Sequence, residues 1–310
     1  MESKLNSVKI KLGGYQPASS IHNRAAEILG RELQSRLKEA VSYTMDGNMV
    51  TTQGVKAIDL LDLVESGDLT LCYFASSYLA DRIPEIGIFD LPFVIESRET
   101  AYAALDGALG DLLKKRFSEE TGFRILAFWD NGFRHFSNGV KPIRTPADCA
   151  GLKIRSMNSD LHQAFFRRLG FDPAFVDVRD LVAAVENGTI DAQENPLTNT
   201  YNFGTHKYHR YITLSGHFFG MVLLLIQNDT FIRWPEHVQS AVIESVDVAT
   251  QAQRGFAAAE DADIMAVLDS LDNEIVHLTK RERAAFQDAV APLLATQRDV
   301  LGEALFDLVG

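Results

Sequence analysis

Cysteine is scarce, with two residues, Cys72 and Cys149, in 310. Two thiols exclude a disulfide scaffold and a four-thiolate zinc site. Cys72 lies in the apolar run Leu69 to Phe74 and reads as a buried free thiol rather than half of a bridge. Long apolar runs are lacking too. The longest, Phe218 to Ile226, is about half the ~20 residues a spanning helix needs, so no direct membrane insertion is expected. Met1 to Val8 has neither the basic region nor the apolar stretch of a secretory signal. The chain is therefore either cytoplasmic or a form whose signal has been removed. Positive charge is in deficit, 30 Lys and Arg against 42 Asp and Glu. A net charge of −12 leaves no footprint for nucleic acid or anionic lipid. Any anionic ligand must be drawn by local positive groups against the global field. The Walker glycine–lysine loop, the G-x-G-x-x-G turn, the H-E-x-x-H zinc helix and the G-x-S-x-G elbow are all absent.

What is present is an ordinary globular composition, 46% hydrophobic and 23% charged, at a length that suggests two domains. Strand and helix signals alternate: strand Val8 to Leu12, helical spacing at Ile21, Ala25, Leu29, Leu33 and Leu37, strand Val41 to Met45, a helix near Ile58 and Leu61, strand Leu69 to Phe74. That order implies a parallel α/β sheet. A helix over Glu99 to Glu120, a buried strand Phe123 to Trp129, and a second alternation from Leu152 to Val185 follow. Tyr211 to Leu214 and Phe218 to Ile226 read as a strand pair. From Glu236 onward only helical periodicity is visible, with Val238, Val242, Val246 and Ala249 as one stripe.

Three segments carry chemistry. In Gly151-Leu152-Lys153-Ile154-Arg155, alternation sets Lys153 and Arg155 on one face, and Arg155 at the strand's carboxyl end. Ligands of open α/β sheets bind at that edge, and a guanidinium fork matches a carboxylate. Arg134 follows the buried strand directly and either faces a cleft or pairs with an acidic residue. In Asp191-Ala192-Gln193-Glu194-Asn195-Pro196, the proline biases Asn195 towards extended backbone, although Asn-Pro alone reads as a turn. His206 and His209 read as surface histidines, not a metal pair, and Asp261 and Asp263 as a solvated helix face.

Taken in order, Phe89-Asp90-Leu91-Pro92-Phe93, Asn131-Gly132-Phe133-Arg134, Gly151 to Arg155 and Asp191 to Pro196 resemble the solute-binding proteins of tripartite ATP-independent periplasmic (TRAP) transporters, C4-dicarboxylate-binding type. The resemblance implies an α/β, two-lobed periplasmic binding protein fold with a ligand cleft between lobes and a long lobe-crossing helix. Lobe I is expected over 1–126 plus 214–250, and lobe II over 127–213 plus 251–310. It implies a small organic acid as ligand, lobe closure on binding, TRAP membrane permease subunits as partners, a periplasmic location, and no cofactor or metal. The family's carboxylate-binding arginine falls on Arg155, its second arginine on Arg134 and its asparagine on Asn195. Tyr15, Gln16, Tyr78 (beside Ser77) and His217 fall where members line or neighbour the cleft, and Trp129 is a further aromatic near the expected site, suited to stacking on a ring or sugar face. Ala75 and Tyr78 replace the acidic residue and arginine of sialic-acid-binding members, which points away from that subgroup. Dicarboxylates, sugar acids, keto acids and aromatic acids all fit the pattern. Two rivals stand beside this reading. One is a lyase or isomerase acting on a carboxylic acid, with His217 and Glu194 as its titratable pair. The other is a regulatory effector-binding module, or another two-lobed binder serving an ATP-driven transporter.

Overall fold

A computed structural model describes residues 7–269 and 272–309, so most of the segment read for a secretory signal lies outside it. The chain divides into two compact units. The first comprises the described residues up to Phe74, Phe117–Asp130 and Val222–Ala257; the second comprises Ala75–Arg116, Asn131–Met221 and the described residues from Ala258 onward.

The first unit opens as the alternation predicts. Strands β1 (Val8–Gly13), β2 (Val41–Asp46) and β3 (Leu71–Ala75) are separated by the helices Ile21–Leu37 and Asp59–Ser66. β1 pairs in parallel with β2, Val8 opposite Val41, and with β3, Leu12 opposite Leu71. The first helix begins where Ser20 Oγ accepts the Asn23 N–H at 3.2 Å, satisfying one orphan donor of the opening turn. Its stripe Ile21, Ala25, Leu29, Leu33 and Leu37 is buried, as the four-residue spacing requires. The later stripe Val238, Val242, Val246 and Ala249 is buried as well, in the long helix Glu236–Asp269.

The second unit is built on the later part of β4 (Phe123–Asn138), with β5 (Lys153–Ser156), β6 (Asp172–Phe175) and β7 (Ala192–Pro196). β4 runs antiparallel to β7, with His135 opposite Asn195 and Phe136 opposite Glu194. β5 is parallel to both β7 and β6. Phe136, Phe165, Phe166, Phe171, Phe218 and Phe286 dominate the core beneath them. The helix Asp160–Leu169 follows β5, capped by Ser159 and ended by Gly170 at φ +96°, a conformation glycine adopts without steric penalty.

Several expectations are corrected. The strand read as Phe123 to Trp129 continues to Asn138 through Gly132, whose φ of +94° lets the polar Asp130-Asn131-Gly132 stretch stay in the strand. Tyr211 to Gln227 is one strand, β8, not two. A short strand, β9 (Glu274–Val276), interrupts the all-helical tail and pairs with Tyr211–Thr213 of β8. The helix expected over Glu99 to Glu120 is two, Arg98–Asp106 and Ala108–Thr121, with extended backbone at Gly107 between them. Residues 75–116 group with the second unit. Long-range polar bonds hold them there: Asp90 Oδ1 lies 2.8 Å from His162 Nε2, and the Phe93 N–H donates to the His217 carbonyl. Periodicity carries no trace of such bonds.

Candidate ligand-binding site

Two sets of buried polar groups stand out, one in each unit. In the second unit Arg155 is 2% exposed. β5 carries it one residue before the strand ends, on the face opposite Ile154. Its Nε donates to the Val176 carbonyl at 2.9 Å, and its guanidinium shares a hydrogen bond with the Tyr78 phenol. No carboxylate of the described residues lies within ion-pair distance of it. A buried cation with no counter-charge is expensive and persists where something else supplies the negative charge. Tyr78 follows β3 in the turn Ser76–Tyr78. Burial pushes its phenol up, and the Arg155 and Arg134 guanidiniums pull the other way.

Arg134 is differently placed. It sits on β4, diagonally across from Glu194 on β7, and long side chains bridge that diagonal. Nε donates to Glu194 Oε2 at 2.5 Å, and Nη2 donates to Glu194 Oε1 at 2.8 Å and to the Glu194 carbonyl at 3.0 Å. Nη2 also reaches Asn195 Oδ1 at 3.3 Å. Of the two alternatives open for Arg134, pairing with an acidic residue is what the structure shows. Asn195 is 4% exposed and extended, not in a turn. Its Nδ2 donates to Gln193 Oε1 at 2.5 Å.

Glu194 anchors a buried network. His217 Nε2 lies 3.4 Å from Glu194 Oε2, and His162 Nδ1 lies 4.0 Å from Oε1. His162 Nε2 and the Ser77 hydroxyl both meet Asp90 Oδ1, at 2.8 and 2.5 Å. Burial opposes ionisation of Glu194, but Arg134 and the histidines outweigh it and hold the carboxyl well below the usual carboxylate range. His217 is fully buried and stacks on Phe136 at 4.2 Å, with Nδ1 2.7 Å from Ser215 Oγ. Burial lowers its pKa to about 4 against the pull of Glu194. At neutral pH the pair is a neutral imidazole beside a firmly ionised carboxylate. Neither group is poised near pH 7 as general acid–base catalysis asks.

In the first unit, Gln16 is fully buried and neither Nε2 nor Oε1 has a partner. Its backbone is fixed. The Gln16 N–H donates to the Tyr73 hydroxyl at 3.0 Å, and Asn23 Nδ2 donates to the Gln16 carbonyl at 2.9 Å. A Cβ on Gly14 would meet the Tyr73 ring at 2.2 Å, which is why glycine stands there. Tyr15 packs on Tyr73 and Phe74. Trp129, expected as a cleft wall, belongs to this unit's aromatic core. It is fully buried, parallel to the His22 ring at 6.1 Å, and its indole N–H donates to Thr250 Oγ1.

Sequence reasoning missed Glu194 as the partner of Arg134, and Asp90 and His162 altogether. The β4–β7 register would have found the first; nothing local signals the others. His206 and His209 are buried, not on the surface. His206 stacks on Tyr201, and His209 Nδ1 meets Ser137 Oγ at 3.0 Å. Asp261 pairs with Arg98 at 2.5 Å and so leaves the solvated face where Asp263 remains. Cys72 and Cys149 are both buried free thiols. Among the described residues no side-chain cluster suits a metal ion, and no helix is long and apolar enough to cross a membrane.

A family model described as bacterial extracellular solute-binding protein, family 7, matches residues 12–299. The 2,3-diketo-L-gulonate-binding periplasmic protein YiaO of Escherichia coli is 28% identical over 290 residues, covering 93% of this chain and 86% of that one. A TRAP periplasmic solute-binding protein of Sulfurospirillum deleyianum, solved with bound succinate, superposes with a TM-score of 0.90 at 27% identity, covering 97% of each chain. One from Polaromonas, bound to D-erythronate, gives a TM-score of 0.90 at 25% identity and 98% coverage of each.

Proposed function

The chain belongs to the bacterial extracellular solute-binding protein family 7, the binding proteins of TRAP transporters, and on that premise we propose that it captures a small organic acid by docking the acid's carboxylate on Arg155. The family consists of transport binding proteins, not enzymes; it is extracytoplasmic and works with TRAP membrane permeases. Delivery of the acid to one such permease, from a periplasmic chain, completes the reading.

One observation carries it: Arg155 is buried and has no carboxylate partner, while Arg134 has one. A ligand carboxylate supplies the missing charge in fork geometry. Tyr78 shares a hydrogen bond with the same guanidinium and borders the docked group. Asn195 and His217 act through Glu194, by holding the strand that carries it. In the first unit, Gln16 is the candidate for a ligand contact, with Tyr15 and Trp129 packed behind its loop. The acids named for the E. coli, Sulfurospirillum and Polaromonas relatives all carry a carboxylate, which supports the class.

The test is a thermal-shift screen over small organic acids, sugars and amines, followed by calorimetry on the best ligand with wild type and Arg155→Ala. An acid at a hundred times its Kd adds about 2.7 kcal/mol, a shift on the order of 5 °C. Shifts from neutral sugars or amines and none from acids would overturn the ligand class. Undiminished affinity in Arg155→Ala would overturn the anchor.

A further inference from the structure

We propose that the ligand is a monocarboxylic acid bearing neutral hydroxyl or keto groups, not a dicarboxylic acid. The inference rests on the organic-acid reading above and narrows it.

The formally charged side chains buried in the second unit are Asp90, Glu194, Arg134 and Arg155. Glu194 takes both Nε and Nη2 of Arg134, so that guanidinium is already neutralised by a carboxylate at 2.5 and 2.8 Å. Asp90 is held by Ser77 and His162. Of these four, Arg155 alone carries charge that no carboxylate answers, enough for one anionic group.

What else is unspent in this unit is neutral or negative. Its buried side-chain atoms without a hydrogen-bond partner belong to hydroxyls (Ser76 Oγ and Thr198 Oγ1), an amide, histidine rings and the single carboxylate oxygens Asp90 Oδ2 and Asp261 Oδ1. No lysine or arginine of the unit is among them. Of those histidines, His209 and His217 are held neutral by burial. A ligand hydroxyl can donate to or accept from such hydroxyls. A second carboxylate finds no unpaired buried cation in this unit, and has to shed its water as well.

Leaving a buried charge unpaired costs about 3–5 kcal/mol, which converts to a hundredfold to a few thousandfold in affinity. The experiment is calorimetry on wild-type protein with three matched pairs: glycerate and tartronate, D-erythronate and meso-tartrate, gluconate and glucarate. Each pair shares its carbons and differs by oxidation of the terminal CH2OH to a carboxylate. The expected result is that, in whichever pair binds, the monoacid binds at least a hundredfold tighter. A diacid that equals or beats its monoacid overturns the inference while leaving the organic-acid reading intact. Binding by none of the six, with no keto monoacid bound in the thermal-shift screen, overturns the inference; the organic-acid reading falls only if no acid of that screen binds.

A second arm tests the cause. Glu194→Gln releases the Arg134 guanidinium and should narrow the monoacid preference at least tenfold. An unchanged preference in a folded variant refutes the role given to Glu194. If the variant does not fold, the wild-type pairs alone decide.

Discussion

Arg155 and Glu194 are both buried, charged and within one unit, yet their removal should affect the protein in opposite ways. Glu194 neutralises Arg134 through two short contacts, so Glu194→Gln leaves a buried guanidinium uncompensated. Breaking such a pair costs about 3–5 kcal/mol. For a chain larger than 150–250 residues, at about 2 °C per kcal/mol, the melting temperature should fall by on the order of 5–10 °C. Arg155 has no carboxylate to orphan. Arg155→Met removes a guanidinium that is 2% exposed and keeps most of the side-chain volume. It loses one bond to the Val176 carbonyl and one to Tyr78, each with a net contribution of about 1 kcal/mol. It also relieves a desolvation penalty of several kcal/mol. The melting temperature of the ligand-free variant should therefore hold or rise. Its affinity for the acid should fall a hundredfold or more, because the ligand's carboxylate is then the unpaired charge. Differential scanning fluorimetry reads the first quantity and calorimetry the second. A fall in melting temperature as large as that of Glu194→Gln, with ligand affinity intact, would refute the reasoning and make Arg155 a structural residue.

The remaining predictions rest on other groups. Gln16 is buried with both amide atoms unpartnered, so Gln16→Leu should raise the melting temperature of the ligand-free protein by relieving about 1–3 kcal/mol of unmet polarity, and should weaken ligand binding; equal affinity by calorimetry would remove Gln16 from the site. Gly14→Ala should lower stability and affinity together, since its Cβ would drive into Tyr73 and shift the loop that holds Gln16. Burial lowers His135 to about 3 and His209 and His217 to about 4, all below the ordinary value of 6.5, so the unfolded chain takes up protons first as pH falls. Stability should be full above about pH 7 and decline between pH 6.5 and 4, by about 2 kcal/mol per histidine at pH 5. Urea unfolding at pH 7.5 and pH 5 measures this, and equal midpoints would contradict it. Burial pushes both thiols up, so neither Cys72 nor Cys149 should react with a thiol reagent until the protein is unfolded.

The parts legible in the sequence were those that local periodicity or strand ends encode. The parallel alternation of the first unit follows from apolar spacing, and each strand and helix there lies within a few residues of its expected place. Arg155 was readable because two facts suffice: its alternation partner Ile154 is apolar, and a loop and helix follow it. Gln16 was reached only through the family pattern, since nothing in Gly14-Tyr15-Gln16-Pro17 says that its amide is buried. The β4 extension was hidden because Asp130, Asn131 and Gly132 have loop composition. Gly132 then supplies the positive φ that lets the strand carry on.

What the sequence could not display is which charges cancel. Arg134 and Glu194 are separated by 60 residues and meet only because Phe136 falls opposite Glu194 in an antiparallel ladder. A register slip of one residue would turn Glu194 to the other face and leave Arg134 free. The same slip would leave the composition, the motifs and the net charge of −12 unchanged. Two arginines that look equivalent in the motif string thus have opposite availabilities in the fold. The proposed monoacid preference follows from that difference. The preference should accordingly follow Glu194 and its register with Arg134, more than the presence of Arg134 itself.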